Sequence, residues 1–261
     1  ALKRSIDRCA EAGGGTVFFP AGTYLSGTLL LKSNVTLELD AGATLLGSPD
    51  PKHYPPREPA VPSYTDNYVR QALIAGENLV NVGLRGRGTI DGNGGAFRWK
   101  EYRDRPYVIR LVQCQDVHIE GLTLRDSPMW MQHYLACDRV RIHRLRVFNH
   151  VTYNNDGLDI DGCHDVTISD CIFDTDDDAL CLKSTLDRAC ENVVITNCVL
   201  SSHCNAFKLG TESNGGFKNI TFNNCVILSP RFSEPIYGIR RGMGGIALEM
   251  VDGGQLENVV I

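Results

Sequence analysis

The sequence predicts an all-β chain of stacked parallel coils, a solenoid with a short helix at its start. Three observations carry this. Four apolar residues at offsets 0, 2, 5 and 7 recur: Val117, Ile119, Leu122, Leu124; Val140, Ile142, Leu145, Val147; Val166, Ile168, Cys171, Phe173; Val193, Ile195, Cys198, Leu200; and Ile220, Phe222, Cys225, Ile227. The copies lie 23, 26, 27 and 27 residues apart, a period typical of solenoid coils. A further strand pair recurs between them, at Leu158/Ile160, Leu180/Leu182, Phe207/Leu209 and Ile246/Leu248. No helix-length segment separates the copies, which excludes a βαβ fold, and copies matching in phase fit a sandwich or propeller poorly. A strand pairing with its own copy one coil away satisfies all three.

In chain order, residues 1–12 read as a short amphipathic helix with Leu2, Ile6, Cys9 and Ala10 on one face. Gly13, Gly14 and Gly15 end it. Residues 16–31 read as short strands broken at Pro20, and residues 34–48 alternate with period two. Residues 49–68 are rich in proline and read as a long surface loop. The repeat dominates from residue 78, with weaker starts at Val35, Val82 and Val259. The whole of 1–261 reads as one β-helical unit that begins and ends inside recognisable elements.

The repeat makes structural sense of the ten cysteines. Cys171, Cys198 and Cys225 share a column with Leu122 and Leu145, so they are expected inside, unpaired, as small hydrophobes. Leu158, Leu180, Phe207 and Ile246 form a second column expected to face inward. Asn197 and Asn224 precede two of the cysteines and suit a side-chain ladder at a bend. No CxxC pair or Cys/His spacing suggests zinc.

Composition narrows the function classes. The formal net charge is −5, so no basic balance points to nucleic acid. No apolar run of 18 residues is long enough to span a membrane. The first residues lack the apolar segment and cleavage site of a signal peptide.

The chemistry concentrates in two stretches, NNDGLDIDG from Asn154 and DTDDDALCLKS from Asp174. Aligning Leu158/Ile160 with Leu180/Leu182 puts Asp156 on Asp178, one coil apart at about 4.8 Å. With Asp177 beside them, like charges that close repel unless one group holds a proton. A carboxyl cluster holding one proton at neutral pH suits acid–base catalysis.

These stretches, with SPMW (Ser127 to Trp130) and RGRGTIDGNG (Arg85 to Gly94), resemble glycoside hydrolase family 28, the polygalacturonase-like enzymes. The resemblance runs from about residue 1 to the end and is most specific between residues 125 and 210. It implies a right-handed parallel β-helix and inverting hydrolysis of a pectic polysaccharide or oligosaccharide. The family's Asn-Thr-Asp motif is matched by Asn154-Asn155-Asp156, and its Gly-Asp-Asp motif by Asp176-Asp177-Asp178. The match makes Asp177 the general acid, with Asp156 and Asp178 holding the water. It implies no cofactor or metal, a monomer, and a secreted or periplasmic location.

Two positions depart from the family. Asn205 stands where its Gly-His-Gly motif has histidine, with His203 two residues earlier. Ala247 and Glu249 stand where its Arg-Ile-Lys motif has the two basic residues that the family uses to hold a galacturonate carboxylate. Lys208 lies one coil before Ala247 in an outward column that reads Asp159, Cys181, Lys208, Ala247, so it is a candidate displaced cation. Arg240 and Arg241, in YGIRRGMGG, are candidate carboxylate clamps. Trp130 reads equally as a sugar platform or a core aromatic. His133, His150 and His164 read as surface residues.

Other readings stay open at this stage. The Asp residues also suit turns on a solvated corner. Asp156, Asp159, Asp161, Asp176, Asp177 and Asp178 together offer enough hard oxygens for Ca²⁺. A Ca²⁺-dependent polysaccharide lyase would draft Lys183 or Lys208 as its base. A non-catalytic β-helix would bind glycans without cleaving them.

Overall fold

The computed structural model describes residues 1–98, 100–231, 238 and 240–261. The chain folds as a right-handed parallel β-helix with one helix at its start. Three parallel sheets run along it. The first has nine strands, from Gly15–Phe19 to Leu256–Val260; the second and third have eight each, ending at Val226–Leu228 and Gly244–Leu248 among the described residues. Each strand pairs with the strand three places along in sequence, so every coil contributes one strand to each sheet.

The apolar repeat straddles a corner of this coil. Offsets 0 and 2 lie in the first sheet, where Val117 pairs with Val140, Val140 with Val166, Val166 with Val193 and Val193 with Ile220. Offset 7 lies in the second sheet, where Leu124, Val147, Phe173, Leu200 and Ile227 are successive partners. The step from 2 to 5, instead of 4, inserts a residue that turns the chain. That residue is left-handed in Gly121, Arg144, Asp170, Asn197 and Asn224, a conformation Asn and Asp tolerate better than other non-glycine residues. The expected ladder is present: Asn224 donates to Asn197 at 2.7 Å, and Asn197 to Asp170 at 3.2 Å. A second ladder, Asn258 to Asn219 to Asn192 to Asp165, marks the other end of the first sheet.

The core fills the coil interior. All ten cysteines are free thiols; Cys171 and Cys198 are buried in their column and Cys225 is half-buried against the same core. Another column was not foreseen: the backbone N–H groups of Cys114 and Cys137 donate to the sulfurs of Cys137 and Cys163 one coil on. Leu158, Leu180 and Phe207 are fully buried. Ile246 pairs with Phe207 in the expected register but is 43% exposed, because its strand is the last of the third sheet.

The helix Leu2–Glu11 packs on the first coils through Ile6, with Leu2, Cys9 and Ala10 against the core. Gly14, at φ 110°, ends it; a Cβ there would lie 2.4 Å from the carbonyl oxygen of Asn34.

The third sheet departs from simple alternation. Its strands Tyr107–Val112, Gln132–Leu135, Asp159–Asp161 and Leu180–Ser184 are buried on both faces. The proline-rich segment is the reason. It lies at the surface, as expected, with two short turns, Pro51–His53 and Tyr64–Asn67, and its buried residues Ser63, Thr65, Asp66 and Val69 lie over the outward face. Thr65 bonds the Tyr107 hydroxyl, Val69 packs with Tyr107 and Trp130, and Asp66 forms a buried two-point ion pair with Arg110.

Candidate active site

Each coil passes from the second sheet to the third through a corner, and three successive corners carry the polar motifs. The pairing of Ile160 with Leu182 and of Leu182 with Leu209 stacks Asp156, Asp178 and Asn205 in one column. The backbone confirms it: Gly157 donates to the Asp178 carbonyl and Ala179 to that of Asn205, both at 2.9 Å. Glycine is required at 157, since a Cβ there would sit 2.5 Å from the Ala179 carbonyl oxygen.

The asparagines of the first motif build this corner. Asn155, fully buried, accepts from the Thr152 N–H at 2.7 Å and donates to the Ser127 carbonyl at 2.9 Å. Asn149 accepts from the Ser127 N–H and donates to the Asp156 carbonyl. Arg105 donates to Asn154 and to the Tyr153 carbonyl. Ser127 and these asparagines therefore bolt the Asp156 loop to the coil below.

The three carboxyl groups differ in environment. Asp156 is buried. Burial, then Asp177, Asp159 and Asp178, push its pKa well above the ordinary carboxylate value. Asp178 is buried too, but its charge is satisfied. Its Oδ1 accepts from the Asn205 amide at 2.8 Å and backbone at 3.1 Å, and its Oδ2 faces Lys208 Nζ at 3.0 Å. Asp177 is the half-buried one of the three; its Oδ1 accepts from the Asp178 N–H at 2.9 Å. Ser202 donates to the Asp177 carbonyl at 2.6 Å and accepts from the Cys204 N–H at 2.8 Å, fixing the corner above.

Asn205 is thus the residue in contact with Asp178, while His203 joins a buried group with His150 and Asp176. Both His133 and His150 are buried, contrary to the surface reading: the outward face of the third sheet and the corner are covered. His133 bonds Asp161 at 3.2 Å. His164 is half-buried beside Arg188.

Lys208 occupies the expected column between Cys181 and Ala247. It is not a free cation, because Glu249 lies 3.5 Å from its Nζ on the other side from Asp178. Two carboxylates therefore share one ammonium. Trp130 is 7% exposed, too buried for an open sugar platform. Its ring instead sits under Lys183, 4.8 Å from Nζ, and packs on Tyr107 and His133. Lys183 also meets Glu212 at 3.0 Å and Asp159 at 3.9 Å. Arg240 and Arg241 are exposed; Tyr237 and Ile239 of the same stretch lie outside the described residues.

Glu212, Cys204 and Asp66 had not been singled out. Glu212 has no counterpart in the repeat, since it follows an irregular register between Leu182 and Ser184. Cys204 follows from register alone, as it stands one coil above Asp177, and its sulfur lies within 4.8 Å of the Asp177 and Asp178 carboxylates. The six acids of the calcium reading do not converge. Asp159 goes to Lys183, Asp161 to His133 and Thr185, Asp176 to the histidines, and Asp178 to Lys208.

Comparison with known proteins agrees with this geometry. The model of "Glycosyl hydrolases family 28" matches residues 9–243. A relative named "Probable polygalacturonase", from Vitis vinifera, is 34% identical over 195 residues, covering 70% of this chain and 39% of that protein. The chain spans well under half the length of the first curated relatives it matches. In fold it resembles the polygalacturonase of Erwinia carotovora, with TM-score 0.80 and 21% identity over 99% of this chain and 71% of that one. It also resembles an exopolygalacturonase of Thermotoga maritima, with TM-score 0.77 and 24% identity over 86% and 61%. With the stacked coils, the aspartates on adjacent corners and the family match over most of its length, the chain belongs to glycosyl hydrolases family 28.

Proposed function

We propose that this chain is the catalytic part of a glycoside hydrolase that cleaves a galacturonate-containing pectic polysaccharide or oligosaccharide with inversion. The observation that carries the reading is the meeting of Asp156, Asp177 and Asp178 on adjacent corners, with Asp156 driven toward its protonated form by burial and its neighbours. An inverting site needs one carboxylic acid and a carboxylate that activates water. A cluster that retains a proton supplies both.

Asp177 is the acid in this reading, because it matches the family's acid position and is the half-buried member of the three. Asp156 and Asp178 hold the water behind it. Burial and the neighbouring carboxyl groups favour the protonated form of Asp156, and in this reading the proton reaches the leaving oxygen by way of Asp177. Asp177 gives the proton to the leaving oxygen as the bond breaks, and the carboxylate of the Asp156 and Asp178 pair takes one from the attacking water. Lys208 and Asn205 hold the Asp178 side chain in place for its part.

The cation balance bears on the sugar. Lys208 is already shared by Asp178 and Glu249, so a uronate carboxylate gains little there. Glu249 accepts hydrogen bonds from neutral hydroxyls. This supports weak activity on unbranched polygalacturonate and better activity where a neutral sugar flanks the scissile bond. A polymer of this kind places the enzyme outside the cytoplasm, secreted or periplasmic.

The lyase reading fares worse. Burial disfavours the charged form of Lys183, but Cys181, Asp159 and Glu212 outweigh it and raise its pKa well above normal. Lys208 is raised too, by Asp178 and Cys181 against burial. Ammonium groups held this firmly are poor bases. Digestion of a panel of pectic oligosaccharides, followed by NMR of the nascent anomer, tests the proposal. Inverted, saturated reducing ends are expected; unsaturated ends that vanish with chelator would overturn it.

A further inference from the structure

One column of buried ionisable groups takes no part in the proposed reaction. Asn149, Thr175 and Ser202 are register partners in successive coils. The residues that follow them, His150, Asp176 and His203, therefore stack at the corner. All three are buried. One ring nitrogen of each histidine and one carboxylate oxygen lie within 4.8 Å of one another. His150 Nδ1 is 3.9 Å from Asp176 Oδ1, and the two imidazole rings meet edge to face with centroids 5.9 Å apart.

An independent observation concerns the other nitrogen of His150. Its Nε2 is hydrogen-bonded to Asp174 Oδ1 at 3.1 Å. A carboxylate on the distal nitrogen is the arrangement that orients a metal-bound imidazole and raises its basicity. We propose that His150, Asp176 and His203 form a binding site for a divalent transition-metal ion of the Zn²⁺ type, with Asp174 as the outer partner of His150.

The donor set selects the ion. Two imidazoles and one carboxylate suit Zn²⁺, Co²⁺ or Ni²⁺. Ca²⁺ and Mg²⁺ require oxygen shells and are disfavoured. Tetrahedral Zn²⁺ with bonds of about 2.0–2.1 Å holds its donors roughly 3.3 Å apart. The three donor atoms need to close by at most about 1.5 Å to reach that spacing, a shift within side-chain rotation. Three protein ligands leave the fourth position for water. The ion would clamp three coils together at the residue preceding Asp177.

The site escapes spacing rules because each ligand comes from a different coil. Chelator-stripped protein is titrated with Zn²⁺ by calorimetry and with Co²⁺ by visible absorption. One ion per chain is expected, with Co²⁺ bands of four- or five-coordinate intensity and a melting temperature raised by Zn²⁺. His150→Gln and His203→Gln should abolish binding, whereas His118→Gln, on the exposed side of the first sheet, should keep it. If a variant does not fold, X-ray absorption of Zn²⁺-loaded wild type decides the question. Two imidazoles in the shell support the site; a sulfur ligand, which Cys204 would supply, overturns it. Wild type that binds no Co²⁺, or binding that survives both histidine variants, also overturns it.

Discussion

The side-chain amide of Asn205 donates to Oδ1 of Asp178 at 2.8 Å, across one coil. The contact puts an uncharged donor at the position that the motif resemblance aligns with a histidine. Asn205→Ala would leave Oδ1 of Asp178 only the backbone donor at 3.1 Å, with Lys208 still on Oδ2. A hydrogen bond to a charged group contributes about 1.5–3 kcal/mol, so kcat/KM should fall roughly 10- to 100-fold. Asn205→Asp should be worse, with a like charge beside Asp178. Steady-state kinetics with wild-type values for both would remove Asn205 from the site.

Asp177→Asn should cost roughly 10²–10⁴-fold in turnover on natural substrate without changing the melting temperature. An aryl glycoside with a good leaving group needs no proton, so the loss should shrink there. Equal losses on both substrates would show that the acid is misassigned.

Lys208 and Glu249 make a charge-swapped pair next to Asp178. Glu249→Gln should release the ammonium and lower KM for substrates with galacturonate at that position, with little effect on neutral ones. Lys208→Met should lower kcat as well as raise KM, because Asp178 loses its counter-charge. Unchanged kinetics for Lys208→Met on the best substrate would retire the displaced-cation idea.

Lys183 pairs with Glu212 at 3.0 Å and lies 3.9 Å from Asp159, whose two oxygens are buried without a hydrogen-bond partner among the described residues and whose pKa burial pushes up against the pull of Lys183. Removing one member of a buried pair typically costs about 3–5 kcal/mol. Lys183→Met should destabilise by that order in urea unfolding, and adding Asp159→Asn should recover part of it. No recovery would mean that Lys183 serves Glu212 or the Trp130 ring and not Asp159.

Asp66 anchors the proline-rich segment to Arg110. Burial raises its proton affinity, but the Arg110 hydrogen bonds and charge outweigh burial, leaving its pKa below the ordinary value. A lowered carboxyl pKa stabilises the fold above the unfolded value near 4 and loses that contribution as pH falls through the folded value. Asp66→Asn should therefore destabilise at pH 7, by about 3–5 kcal/mol, and the gap to wild type should close in strong acid. Melting temperatures across pH 2–7 check this; a gap independent of pH would assign the loss to packing.

The coil register was legible in the residues alone, and the reason is geometric. A strand paired with its copy one coil away must keep period two in phase, or its apolar side chains leave the core. Matching Leu158/Ile160 to Leu180/Leu182 therefore determined that Asp156 and Asp178 are neighbours, before any coordinate. The asparagine ladder was legible for a similar reason, since a bend that recurs at one offset demands a residue tolerant of left-handed backbone. What the tertiary structure decided is everything period two does not constrain. Alternation puts Arg110, His133, Asp159 and Lys183 on an outward face and says nothing of whether that face is covered, so His133 reads as a surface residue. Asp66 and its neighbours cover Arg110, the Trp130 ring packs on His133 and under Lys183, and the buried charges take partners the period does not give, Arg110 with Asp66 and Lys183 with Glu212. The corners are equally free of the period. Whether His203 or Asn205 met Asp178 depended on the path of the turn, and the turn sent Asn205 to the carboxylate and His203 to His150 and Asp176.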